Sequence, residues 1–191
     1  GVGVALGTPP GQASILLSTL NSAKAGDHFI SASTIYVGTV NLFAVTLKKF
    51  GIGCTFVDAG APEEELQKAF RPNTKAVFGE TIANPSIAVL DIEKMARLAH
   101  RHHVPLIVDN TFPTPINCRP FEWGADIVAH STTHYMDGHA TSVGGATVDS
   151  GNFNWDAYAD NFPGLCTPDE SYHGLTYTKD LDKLAYIPNA T

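Results

Sequence analysis

Residues 91–111 read Asp-Ile-Glu-Lys-Met-Ala-Arg-Leu-Ala-His-Arg-His-His-Val-Pro-Leu-Ile-Val-Asp-Asn-Thr, and this stretch decides the fold. Ile92, Met95, Ala96 and Ala99 recur three and four positions apart, which places them on one face of a helix over residues 91–103. A β-rich apolar run, residues 106–108, follows at once and ends in an acid, Asp109. The same helix-and-strand unit recurs along the chain. Apolar runs at residues 28–31, 54–57, 76–78, 127–129 and 146–148 read as further strands, and residues 12–24, 41–50 and 63–70 as helices, with Gly51 as a C-terminal stop. Alternation of this kind predicts an α/β domain: a mostly parallel central sheet with helices on both faces, joined by right-handed crossovers. In such sheets ligands sit at the carboxyl ends of the strands.

Bulk composition narrows the function. With 191 residues, 43% of them hydrophobic, the chain is long enough for one large domain. Twelve basic against 19 acidic residues give a net charge of -7, so no basic surface points to nucleic acid. No apolar run is long enough for a membrane span, and the start Gly1-Val2-Gly3-Val4-Ala5-Leu6 lacks a signal-peptide layout, so the expected compartment is the cytoplasm. Cys54, Cys118 and Cys166 are odd in number and widely spaced, as expected of reduced thiols. After residue 150 the texture turns to Gly, Pro, Asn and Asp with scattered aromatics, which reads as a loop-rich surface excursion whose final stretch carries no core element.

Four stretches can carry chemistry. Thr8-Pro9-Pro10-Gly11-Gln12-Ala13-Ser14 is a turn entering a helix, either an ordinary Pro-Gly start or a helix N-terminus suited to a phosphate. Asp109 closes a strand and either caps the next turn or faces a cationic partner, such as a metal or a protonated ring nitrogen. In His130-Ser131-Thr132-Thr133-His134-Tyr135-Met136-Asp137-Gly138-His139, the Ser131 and Thr133 hydroxyls can donate to phosphate oxygens. His130, His134 and His139 match no standard zinc spacing, so scattered or core histidines are favoured over ligands and no metal site is assigned. His100, His102 and His103 read as solvated cations at a helix C-terminus. Tyr36 can pack on a flat ring and Asn84 can donate to a ring oxygen, or either can be structural.

Taken together, these stretches resemble the Cys/Met-metabolism family of pyridoxal-phosphate enzymes, which have the aspartate-aminotransferase-like type I fold. The likeness spans nearly the whole chain and rests on Ala25-Gly26-Asp27-His28, Gly79-Glu80-Thr81-Ile82-Ala83-Asn84-Pro85, Val108-Asp109-Asn110-Thr111-Phe112 and His130-Ser131-Thr132-Thr133. Within the family, Cys118-Arg119-Pro120-Phe121-Glu122-Trp123-Gly124-Ala125-Asp126-Ile127 and Ser171-Tyr172-His173-Gly174-Leu175 look most like O-acetylhomoserine sulfhydrylases, with cystathionine synthases and lyases and methionine γ-lyases as near neighbours.

The resemblance implies pyridoxal 5'-phosphate as cofactor, and an amino acid with sulfide or a thiol as substrates. Gly11 and Gln12 would offer backbone N–H groups to its phosphate, helped by the Ser131 and Thr133 hydroxyls. Tyr36 would stack on the ring, Asp109 would pair with its nitrogen, and Asn84 would hold its phenolic oxygen. Where the family carries the lysine that forms an imine with the cofactor and moves protons, this chain has His134, which lacks a primary amine. Pro9 and Pro10 also replace small polar residues, and Pro10 has no N–H. The resemblance further implies that residues 1–191 form the cofactor-binding large domain without the family's N-terminal segment and C-terminal domain. The complete protein would be a dimer of dimers. Two readings follow: a sulfhydrylase-like transferase impaired at His134, or a catalytically silent homologue or partner subunit that binds cofactor non-covalently.

Overall fold

A computed structural model of the chain describes residues 4–190; Gly1-Val2-Gly3, part of the N-terminal stretch considered above, lie outside the described residues, as does Thr191. Seven strands form one sheet in the order β1-β7-β6-β5-β4-β2-β3. They are β1 (Ala5–Thr8), β2 (His28–Ala32), β3 (Gly53–Val57), β4 (Thr74–Glu80), β5 (Leu106–Asp109), β6 (Ile127–Ser131) and β7 (Gly145–Asp149). β3, β2, β4, β5 and β6 are mutually parallel. β7 runs antiparallel to β6, and β1 antiparallel to β7. Two reversals restore the direction, so β1 delivers its carboxyl end to the same edge as the parallel strands.

The central strands are buried on both faces, which is why they read as unbroken apolar runs. Successive side chains alternate between two cores. Phe29, Phe78, Ile107 and Ile127 enter one. Ile30, Val77, Leu106, Val108 and Val128 enter the other.

The second core is closed by α5 (Ile92–Arg101), whose Met95, Ala96, Leu98 and Ala99 are buried. Asp91 caps its start by accepting the Lys94 N–H at 2.9 Å. Its last turn departs from the expectation of solvated histidines. His100 Nε2 lies 2.8 Å from Asp126 Oδ2. His102 stacks on Phe70 with ring centroids 3.8 Å apart, and burial, its largest influence, lowers its pKa. His103, at a φ of 61°, stacks on Tyr158. All three rings remain exposed yet are held by partners.

The first core is closed by α1 (Gly11–Ser22) and by a helical segment of three parts: α2 (Val37–Asn41), a π-type turn (Leu42–Thr46) and α3 (Leu47–Lys49). The segment begins four residues before the predicted position 41. Its Phe43 stands edge-on between Phe29 and Phe78, at 4.7 and 5.0 Å. α1 carries a small hydroxyl face in place of an apolar stripe: Ser14, Ser18, Thr19 and Ser22 are buried. Their protons are satisfied locally; Ser18 Oγ donates to the Ser14 carbonyl at 2.7 Å and Thr19 Oγ1 to that of Ile15 at 2.9 Å. Such a face lets α1 lie close on β7. A Cβ on Gly145 would come within 2.5 Å of Ser14 Oγ. The short α4 (Glu63–Leu66) follows β3 and buries Leu66 in the second core.

The chain after residue 150 is not a surface excursion. Phe153, Trp155, Phe162, Leu165, Tyr177, Ala185, Tyr186 and Ile187 all belong to the first core. Trp155 stacks on Tyr186 at 5.3 Å, and the Tyr186 hydroxyl donates to the Ser18 carbonyl at 2.7 Å. The Gly, Pro and Asn residues serve the short turns that bring these rings back over α1; the rings themselves supply apolar area that no periodic pattern announces.

Candidate active site

At the carboxyl edge of the sheet lies a cavity of about 300 Å³. Every residue named from the sequence for the cofactor site lines it. β1 feeds Pro10, Gly11 and Gln12 into its wall, β2 leads to Tyr36, β4 to Glu80 and Asn84, β5 to Asp109, and β6 to Ser131, Thr133 and His134.

The start of α1 sits against the end of β6. A Cβ on Gly11 would fall 2.4 Å from Ser131 Cβ and 2.6 Å from its Cα, so only glycine allows this approach. No side chain caps α1, and Pro10 at the N-cap has no N–H. The Ala13 N–H turns back to the Pro10 carbonyl at 2.9 Å, while the first-turn amides of Gly11 and Gln12 stand at the cavity wall. A 12-residue helix thus brings its positive end to the cavity with no acidic residue in its first turn.

Across the cavity, Tyr36 stands at the N-cap of α2 and is 46% exposed. Gly38 accommodates the ring; a Cβ there would lie 2.5 Å from Tyr36 Cε1. Gln12 Nε2 reaches the Gly38 carbonyl at 3.4 Å and links α1 to this loop.

At the mouth of β5, Asp109 Oδ1 accepts two bonds from Thr111, from its N–H at 2.9 Å and its hydroxyl at 2.5 Å. Burial pushes the Asp109 carboxyl above the usual carboxylate range, against the pull of those bonds and of His134. Thr111 Oγ1 also accepts the Ser131 N–H at 2.8 Å, so one hydroxyl ties the ends of β5 and β6 together.

The loop after β6 orders the remaining groups. His134 Nδ1 lies 2.8 Å from Ser131 Oγ. Thr133 Oγ1 donates to the Gly144 carbonyl at 3.2 Å and accepts the Gly144 N–H at 3.0 Å, which fastens the loop to the start of β7. The three histidines of this stretch part company: His130 is buried on β6, where burial lowers its pKa to about 4, while His134 and His139 are exposed. Among the described residues no group of three or more His, Cys, Asp or Glu is placed to hold a metal ion.

The model of the Cys/Met metabolism PLP-dependent enzyme family matches residues 1–175. The chain belongs to that family. It is 45% identical over 188 residues, 98% of its length, to the homocysteine/cysteine synthase of Saccharomyces cerevisiae. Over 170 residues it is 46% identical to the O-acetyl-L-homoserine sulfhydrylase of Corynebacterium glutamicum. It spans 42% of the first relative and 39% of the second, about two-fifths of each. A solved O-acetylhomoserine (thiol)-lyase of Campylobacter jejuni, which carries N'-pyridoxyl-lysine-5'-monophosphate, superposes with a TM-score of 0.85 at 34% identity. That superposition covers 98% of this chain and 51% of the other. An O-acetylhomoserine sulfhydrylase of Wolinella succinogenes gives 0.82 at 31% identity, covering 97% and 49% of the two chains.

The family's cofactor suits what the cavity presents. The uncapped α1 terminus and the close approach of Gly11 to Ser131 would suit an anion such as its phosphate. A buried carboxylate whose pKa is raised gains from a cationic partner, as a protonated ring nitrogen would be to Asp109. Two side chains expected at the phosphate have other partners here, Ser131 in His134 and Thr133 in Gly144. Glu80, Thr111 and Gly38 received no role from the sequence; each acts on backbone or a neighbouring ring, and only Glu80-x-x-x-Asn84 and Asp109-x-Thr111 inside the quoted motifs could have drawn attention to the first two. Replacing Gly11 with alanine is expected to push α1 off β6 and weaken pyridoxal-phosphate binding at least tenfold, about the value of one charge-assisted hydrogen bond. Fluorescence titration checks this; unchanged affinity would remove α1 from the cradle.

Proposed function

We propose that this chain is the cofactor-binding core of an O-acetylhomoserine sulfhydrylase-like transferase, which replaces the acetate of O-acetylhomoserine by sulfide or a thiol in methionine and cysteine metabolism. The observation that carries this reading is that Gly11, Gln12, Tyr36, Asn84, Asp109, Ser131, Thr133 and His134, drawn from five strand ends, line one cavity in a member of this family. The names of two relatives described above supply the reaction. Pyridoxal phosphate, when bound, supplies an electron sink for a substrate carbanion.

The chain's own residues do the rest. The α1 amides and Ser131 hold the phosphate, with Thr133 fastening their loop. Tyr36 covers the ring face, Asn84 takes the phenolic oxygen, and Asp109 keeps the ring nitrogen protonated. His134 stands at the position of the family's lysine. It has no primary amine, so the cofactor is held without a covalent bond to this residue. With Nδ1 on Ser131, Nε2 is the atom that takes a proton from, or returns it to, a substrate carbon. Proton transfer survives in kind while covalent anchoring is lost, so turnover is impaired. The same substitution supports a second reading, a silent homologue or partner subunit that binds cofactor loosely.

Acetate release from O-acetylhomoserine, measured with and without sulfide in the presence of saturating pyridoxal phosphate, separates the two. Sulfide-dependent release supports the transferase; cofactor binding with no release at any pH supports the silent subunit. Binding of no cofactor would sink both. In the complete protein we place the chain in a dimer of dimers, to be checked by light scattering, and in the cytoplasm, to be checked by cell fractionation. No helix among the described residues is long and apolar enough to cross a membrane.

A further inference from the structure

Glu80 ends β4 and is buried to 6% exposure, yet among the described residues no Lys, Arg or His side chain is hydrogen-bonded to it. Both of its oxygens accept backbone N–H groups. Oε1 takes that of Tyr36 at 2.7 Å, and Oε2 takes that of Asn84 at 3.1 Å. These two residues belong to different loops, 44 positions before Glu80 and four after it. They are also the residues assigned to the ring face and to the ring's phenolic oxygen. Glu80 itself lines the cavity wall.

We propose that Glu80 is the positioning residue of the cofactor ring, a single carboxylate clamp that sets the distance between Tyr36 and Asn84 and so the width of the ring slot. The inference rests on the cofactor reading above. Its physical basis is the rigidity of a carboxylate: two acceptor oxygens on one planar group fix two donors relative to each other, and charge makes both bonds strong. Thr111 makes an analogous tie between β5 and β6, but through a neutral hydroxyl.

The clamp is sensitive to protonation. Burial, the largest influence, pushes the Glu80 carboxyl up to about 7; the Tyr36 and Asn84 bonds pull it down, and the Asp109 charge adds to the rise. Other titratable or charged groups near it are the Tyr36 phenol, His134 on the loop after β6, and Asp58, Asp91 and Lys94 around the smaller cavity behind it. Two opposite trends follow. The folded chain holds the Glu80 proton more tightly than the unfolded chain, so the stability Glu80 contributes is present at low pH and is lost as pH rises from 4.5 to about 7. The clamp behaves in reverse. Both oxygens accept fully only when the group is ionised, so cofactor affinity due to Glu80 rises across the same window.

The test is titration of the parent chain and of Glu80→Gln with pyridoxal phosphate from pH 5.5 to 8.5, followed by fluorescence and by the circular dichroism induced in the bound cofactor. An amide has one acceptor oxygen and offers an N–H to the other donor, so it breaks half the clamp. We expect Glu80→Gln to bind about tenfold more weakly at pH 8.5, the value of one hydrogen bond to a charged group, with a shallower rise in affinity with pH and a reduced dichroic band. Asp149→Asn, at the opposite end of the sheet, controls for loss of a buried carboxylate and should leave the band intact. A parent that binds no cofactor overturns the cofactor reading and the clamp with it. A parent that binds, with Glu80→Gln matching it in affinity, pH profile and dichroism, overturns the clamp alone. Hydrogen exchange on the parent needs no variant: the Tyr36 and Asn84 amides should be protected above pH 7, and free exchange at both would also overturn the proposal.

Discussion

Replacing His134 with lysine is expected to give a chain that captures pyridoxal phosphate covalently, where the parent holds it only by contacts. Reduction with borohydride should fix one cofactor per variant chain on residue 134 and none at that position in the parent, read by peptide mass. The physical reason is twofold. A primary amine delivered from the loop after β6 meets an aldehyde already held by the phosphate cradle, so capture becomes intramolecular; even a poorly oriented case of such proximity strengthens holding by about 100-fold. The substitution also removes the imidazole that bonds Ser131 Oγ at 2.8 Å, so that the phosphate no longer shares that hydroxyl with residue 134. Reducible label on the parent's own residue 134, or none on the variant, would overturn the assignment of this position. A labelled variant that still releases no acetate would locate the remaining defect away from residue 134.

The second large effect concerns stability. Tyr186 is fully buried, stacks on Trp155 and donates to the Ser18 carbonyl, so Tyr186→Ala removes a ring, leaves a cavity and strips one acceptor of α1. The expected cost is about 3–5 kcal/mol, as for other large-to-alanine changes in a packed core. In a chain of this size that lowers Tm by about 10 °C. Tyr186→Phe keeps the ring and loses only the hydroxyl bond, for about 1 kcal/mol. Were residues 150–190 a surface excursion, both changes would fall within about 0.5 kcal/mol, and calorimetry distinguishes the outcomes directly.

Much of the fold was legible because burial on both faces leaves a mark that needs no partner to interpret. The apolar runs of β2, β4, β5 and β6 and the three-and-four spacing of α5 are local patterns, and the structure places elements there. β1 escaped notice for the opposite reason: it has four residues, alternately exposed, and becomes a strand only because β7 lies beside it. The rings after residue 150 escaped for a related one. Their turns are polar and their aromatics irregularly spaced, so nothing in the order of residues says that they fold back over α1.

The site divides along the same line. Sequence by itself determined the chemistry on offer: a Pro-Gly helix start, a carboxylate ending a strand, hydroxyls after another, and an imidazole at residue 134, where the family resemblance implies a primary amine. Tertiary structure decided which of these groups meet. Five strand ends reach one edge: those of β2, β4, β5 and β6 because these strands are mutually parallel, and that of β1 because two antiparallel pairings, β6 with β7 and β7 with β1, restore its direction. It alone revealed that Glu80 holds Tyr36 and Asn84, that Thr111 joins Asp109 to β6, and that His134 takes the hydroxyl of Ser131. The reason is that a hydrogen bond to a backbone N–H leaves no trace in the donor's identity, since every residue but proline carries that donor. Which carboxylate finds which amide is fixed only when the loops are brought to the same edge of the sheet.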